Sequence, residues 1–192
     1  MTGFSGIITF EANTAGDGRM KTNQTLKIGC VGVFALALLS ACGEFATPVQ
    51  SRLTLQSSVQ NGALQIQGLD SFQGKLLASS AESGVSGGTG YCYQYVAQAI
   101  HSQYTPFLSG MHAYLAAEQL ASNPLFKEVQ VAPALLPALP AGAVVVWGQG
   151  SSESGHISIA DGRGQEISDH IAPQMTAHYG GAQARVFVPV LP

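Results

Sequence analysis

Two apolar runs flanking a glycine-rich loop restrict what this chain can fold into more than any other feature. Pro140-Ala-Gly-Ala-Val-Val-Val-Trp147 reads as a turn followed by a strand that is β-branched and apolar on both faces, so both faces must be covered. Gly148 to Gly155 is polar and glycine-rich. His156-Ile-Ser-Ile-Ala160 then alternates, with Ile157 and Ile159 on one face and His156 and Ser158 on the other. Asp161 to Gln165 turns the chain, Glu166 to His170 returns as a third strand, and Arg185-Val-Phe-Val-Pro-Val190 supplies a fourth. The expected class is α+β, with helices ahead of a small antiparallel sheet.

The helical half begins at Gly84-Val-Ser-Gly-Gly-Thr-Gly-Tyr-Cys-Tyr-Gln-Tyr-Val-Ala-Gln-Ala-Ile100, a glycine loop running into a helix with Cys92 at the join. Free N–H groups and the dipole at a helix start favour a thiolate there. Val96, Ala99 and Ile100 continue a stripe that Cys92 opens, which turns the sulfur toward the protein body. A small buried apolar cysteine is the plainer reading of the same residue. A second helix is expected over roughly 110–120, stopped by Asn123-Pro124, and a short strand at Val129-Gln-Val-Ala-Pro133. His156, opening its strand after a glycine loop, sits at a sheet rim where its ring can reach a thiol. Imidazole suits that role because it titrates near neutrality. A third polar group must hold the ring, and the strand 166–170 offers Asp169, His170 and Ser168 in that order of preference. Alternation puts Asp169 on the opposite face from the other two. Trp147 and Tyr95 are assigned mainly to the core, and His101, His112 and His178 to ordinary structural or surface positions.

The front of the chain reads as an address. Lys21 to Lys27 is short and basic, and Ile28 to Ala41 is an uncharged apolar run too short to span a bilayer comfortably. It closes in Leu39-Ser-Ala-Cys42-Gly43, which resembles a bacterial lipobox and implies cleavage before Cys42 and lipid on that residue. Residues 1–19 precede a more natural start at Met20. Of three cysteines, Cys30 would leave with the signal peptide and Cys42 would carry lipid, so Cys92 would be the one remaining thiol. An unpaired thiol in an exported protein is exposed to oxidation, and nucleophilic catalysis explains its presence. The absence of Asp directly after Cys42 implies the outer membrane in a Gram-negative cell. The expected division is signal peptide 1–41, lipid-anchored tether 42–83 with one or two edge strands (Leu53-Thr-Leu-Gln-Ser and Ala63-Leu-Gln-Ile-Gln), and folded domain 84–192.

After residue 42 five Lys or Arg stand against nine Asp or Glu, with no basic cluster. Nucleic acid is therefore not an expected partner, since phosphate binding needs concentrated positive charge. No His-Glu-x-x-His and no Cys/His cluster of zinc spacing occurs, so neither a metal nor another cofactor is expected; a site of His156, Asp169, His170 and His178 is the nearest zinc arrangement.

Gly-Tyr-Cys92-Tyr-Gln-Tyr-Val, Leu-Pro-Ala-Gly-Ala-Val-Val-Val-Trp147 and Gly-His156-Ile-Ser-Ile-Ala-Asp-Gly occur in an order that resembles the NlpC/P60 and CHAP papain-like cysteine peptidases. The resemblance covers roughly Thr89 to Val188. It implies a papain-like fold and cleavage of amide bonds in peptidoglycan peptides, with Cys92 as nucleophile, His156 as base and Asp169 as the orienting residue. The backbone N–H of Cys92 would donate to the oxyanion, with Tyr91 or Tyr93 as a second donor or groove residue. Two features depart from the pattern: Tyr91-Cys92-Tyr93-Gln94 replaces Asp-Cys-Ser-Gly, and Ser168 stands near the position of a frequent third histidine. Two other readings share the fold: an acyltransferase using the same Cys-His pair, and a wall-binding lipoprotein with a silent dyad.

Overall fold

The structure, a computed structural model, describes residues 54–60, 63–150 and 152–191. The signal segment, the lipobox and Cys42 lie outside the described residues. In chain order the regular elements are β1 (Leu55–Gln60), β2 (Ala63–Ile66), α1 (Ser71–Gly84), α2 (Cys92–His101), α3 (Ala116–Ser122), β3 (Phe126–Gln130), β4 (Val144–Trp147), β5 (His156–Ala160), β6 (Gln165–Ile167), β7 (Ile171–Pro173) and β8 (Ala184–Pro189). Short 3-10 turns occupy Ala113–Leu115, Pro133–Ala138 and Tyr179–Gly181.

The class is α+β. The strands form one sheet of eight in the order β2-β1-β3-β8-β4-β5-β6-β7. It is larger than expected, and mixed rather than antiparallel: β1 runs parallel to β3, pairing Leu55 with Val129 and Gln56 with Gln130. Of the two alternating segments foreseen as edge strands, the one from Ala63 is β2, at the edge; the other overlaps β1, which runs on to Gln60 and lies between β2 and β3.

Alternation then divides the interior. Val144 and Val146 of β4, Ile157 and Ile159 of β5, and Phe187 of β8 face a core that includes Leu77 of α1, Val96 and Ile100 of α2, and Leu120 of α3. Val145, Trp147, Ala160, Val186 and Val188 face the opposite side, where Leu136 and Leu139 cover them. All four residues of β4 are buried, as a strand apolar on both faces requires.

Helix α1 falls where a tether was expected. Asp70 caps it by accepting the Gln73 N–H at 3.0 Å, and Gly74, Leu77, Ala78 and Ala81 form its buried stripe. The folded body therefore starts ahead of residue 84. At Gly74 the helix meets the 141–142 turn so closely that a Cβ would lie 2.4 Å from the Ala141 carbonyl oxygen, and Gly142 has φ +83°. The second expected helix is a 3-10 turn followed by α3, which ends at Asn123 as the Asn-Pro signal indicates.

The third strand of the sequence reading stops early. After Ile167 the chain turns, the Ser168 N–H donating to the His170 carbonyl at 2.8 Å, and β7 folds back on β6 with Ile167 opposite Ile171. Asp169 thus lies in a bend and not on a strand, so the alternation expected to set it apart from Ser168 and His170 does not apply.

Candidate active site

Cys92 is the first residue of α2, half-buried and packed against the helix-side core. The first intrahelical hydrogen bonds go from Gln94 and Tyr95 to the Tyr91 carbonyl, at 2.9 and 3.3 Å. The N–H groups of Cys92 and Tyr93 precede them, in the turn where helix donors have no intrahelical acceptor. The loop leading to the cysteine is tied down by Asp169. Its carboxylate accepts the N–H groups of Thr89 (2.5 Å) and Gly90 (2.6 Å) and the Thr89 hydroxyl (3.0 Å), and its backbone carbonyl accepts the Gly87 N–H at 3.0 Å. His170 adds a contact from Nδ1 at 3.0 Å. Burial works against ionisation of Asp169, but these donors outweigh it and hold the carboxyl well below the usual carboxylate range.

His156 begins β5 directly opposite Trp147 of β4. Gly155 before it has φ +67°, and a Cβ there would lie 2.3 Å from the Trp147 carbonyl oxygen, so only glycine permits this entry into the strand. The imidazole lies near enough to the Cys92 side chain for the sulfur to raise its pKa. On its other flank Nε2 lies 3.3 Å from Glu166 Oε1, an ion-pair distance whose approach is too bent for a well-formed hydrogen bond. Burial pushes the His156 pKa down; the contacts with Cys92 and Glu166 outweigh it and lift the value to about 9. The ring therefore carries its proton at neutral pH.

Glu166, not Asp169, is the carboxylate at the histidine. It pairs with Ala160 across β5 and β6, which puts its side chain on the face of His156 and Ser158. It is 2% exposed, and its second oxygen accepts Gln174 Nε2 at 2.9 Å, the Met175 N–H at 3.2 Å and the Ser158 hydroxyl at 3.4 Å. Asp169 is engaged elsewhere, its Oδ2 accepting from the 89–90 loop and its Oδ1 facing Ser168 and His170. Ser168 and His170, the two alternatives, bond to Asp169 and to each other. A signal for Glu166 was present: it sits at the start of an alternating strand that neighbours β5.

Tyr91 caps nothing and is 66% exposed at the mouth of the site. Tyr93 lines the cleft beside Cys92, with its hydroxyl turned away to donate to the Ser109 carbonyl at 2.8 Å. His101 is structural, its Nε2 accepting the Phe107 and Leu108 N–H groups. His112 contacts Ser154 at 3.0 Å. His178, read as ordinary, lies against His156 instead, and no local pattern marks it in the sequence. Beside Cys92 opens a cleft of about 470 Å³ whose walls include Ala97, Leu108, Met111 and Ala113. Among the described residues no group of three His, Cys, Asp or Glu is placed to hold a metal ion.

No protein-family profile and no curated protein matches the chain. Among solved structures it is similar to the type VI native effector–immunity complex Tae3–Tai3 from Ralstonia pickettii. That match is 19% identical with a TM-score of 0.47, covering 59% of this chain and 96% of the other. The selenomethionine form of the same complex is 22% identical with a TM-score of 0.46, covering 58% and 97%.

Proposed function

We propose that this chain is a cysteine peptidase or amidase of the NlpC/P60 and CHAP papain-like type, cleaving amide bonds in peptidoglycan peptides. The observation that carries the reading is Cys92 on the wall of an apolar cleft, with His156 beside it and the buried Glu166 carboxylate 3.3 Å from the imidazole. A nucleophile, a base and a group that orients the base are what acyl transfer requires. The motif order around Cys92 and His156 points to peptidoglycan as the substrate.

In the reaction the Cys92 sulfur, its proton held by His156, attacks the amide carbonyl carbon. The oxyanion accepts hydrogen bonds from N–H groups in the first turn of α2. His156 passes its proton to the departing amine as the C–N bond breaks, leaving a thioester on Cys92. His156 then takes a proton from water, hydroxide adds to the thioester carbonyl, and the acid product leaves as the thiol side is restored. Glu166, held by its own hydrogen bonds, faces the imidazolium throughout. The proposal includes export, with lipid on Cys42 anchoring the protein in the bacterial envelope, on the periplasmic side of the outer membrane in a Gram-negative cell.

Digestion of purified peptidoglycan by the wild-type chain and by Cys92→Ala, with mass spectrometry of the fragments, tests the activity. New muropeptides from the wild type alone are expected. Their absence, with the protein folded and the thiol reduced, overturns the hydrolase reading in favour of a transferase or a wall-binding lipoprotein. Lipid found on the peptide that begins at Cys42, and lost in Cys42→Ala, tests the anchor.

A further inference from the structure

The contacts along the edge of the His156 ring leave its plane poorly determined. The approach of Glu166 is bent, and a bent hydrogen bond is a weak restraint. The torsion that rotates a histidine ring is also broad by nature. A face contact supplies what the edge contacts lack. The His178 ring lies 13° from the plane of His156, with centroids 6.2 Å apart, and 23° from the plane of Trp147 at 5.8 Å. Trp147 and His156 are register partners on neighbouring strands, so three near-parallel rings gather at one end of β4 and β5. Trp147 is 2% exposed and His178 is 9% exposed, so the stack is a buried, fixed surface.

We propose that His178, backed by Trp147, is a positioning residue that sets the plane of the His156 ring and thereby keeps it aimed at Cys92 and Glu166. The inference rests on reading Cys92 and His156 as nucleophile and base. The ionisable groups facing His156 are Cys92 from α2, Glu166 from β6 and His178 from the segment before 179–181; Trp147, from β4, carries no charge. Burial and then the positive charge of His156 lower the pKa of His178 against an opposing pull from Glu166, so the stacked ring resists taking a second charge beside its neighbour.

The test follows alkylation of Cys92 by iodoacetamide in the full chain, read on the Cys92 peptide by mass spectrometry across pH, in wild type, His178→Phe and His178→Ala. Alkylation needs no wall substrate, so it reports on the ring independently of the hydrolase reading. Loss of the flat ring in His178→Ala is expected to slow labelling near pH 7 about tenfold and to lower kcat on peptidoglycan by the same factor with KM unchanged. His178→Phe keeps a flat ring without nitrogens and is expected to stay within about threefold of wild type. If His178→Ala does not fold, His178→Leu fills the space without a flat ring and carries the same expectation. Wild-type labelling in the Ala or Leu protein overturns the proposal, as does a loss in His178→Phe equal to theirs. Absence of cleavage in every protein, with the labelling order intact, sinks the hydrolase reading and leaves the stack standing.

Discussion

Glu166 shows how a carboxylate can be held ready without being free to move. One oxygen faces His156 and the other accepts from Gln174, Met175 and Ser158, all within a buried site. Glu166→Gln keeps the volume and most of these contacts but removes the charge that supports the imidazolium. Its kcat on peptidoglycan is expected to fall about 10- to 100-fold with little change in melting temperature. The alkaline limb of the rate, set in the wild type by loss of the His156 proton at about 9, should move to lower pH, because Glu166 is one of the groups that raise that value. A pH–rate profile checks both points, and an unchanged alkaline limb would mean that Glu166 does not act on His156. The proximity of Cys92 and His156 was legible in the sequence because each stands at a local signal, a glycine loop before a helix and a glycine before an alternating strand. The third residue was not, because its choice depends on where a strand ends and how it registers with β5.

The 84–90 loop and the 168–170 bend form one element although some eighty residues separate them. Asp169 takes two N–H groups and a hydroxyl from the loop, so the bend braces the approach to Cys92 from outside the helix. Asp169→Ala removes the acceptor of two N–H groups and a hydroxyl on exposed loop residues that water can reach, a net cost of about 1 kcal/mol each. In a domain of this size a loss of 1 kcal/mol lowers the melting temperature by about 2–4 °C. A drop of about 5–10 °C is therefore expected by calorimetry, together with faster proteolysis at 84–90. Asp169→Asn retains an acceptor and should lose less than half as much. Equal stability of wild type and Asp169→Ala would remove the brace. The helix stripes and the β4–β5 pair could be read from periodicity alone. The parallel β1–β3 pairing and the helical 71–84 segment could not, since the first depends on a non-local partner and the second has a weak apolar face of Gly74, Leu77, Ala78 and Ala81.

Across the whole molecule the titrating groups favour neutral pH. Asp169 has a depressed carboxyl, so its contribution is present above its ordinary value and lost as pH falls through the native one. His178 is also depressed, and its share declines as pH drops below about 6.5. His156 is raised, so its share is complete below about 6.5 and lost as pH rises through about 9. The unfolding midpoint should peak near pH 6–7 and decline on both sides, and His156→Gln should flatten the alkaline decline. An alkaline limb untouched by that substitution would contradict the raised value. Strand β8 adds a consequence of a different kind. Drawn from residues 184–189, it lies between β3 and β4 in the interior of the sheet, so each of those strands lacks one of its two neighbours until it arrives. A chain emerging from the ribosome cannot close its sheet while residue 189 is still inside. Trp147, which pairs with Ala184 of β8 as well as with His156, takes part in that closure. Topology thus times the molecule: the two halves of its sheet join only when one late strand has been made.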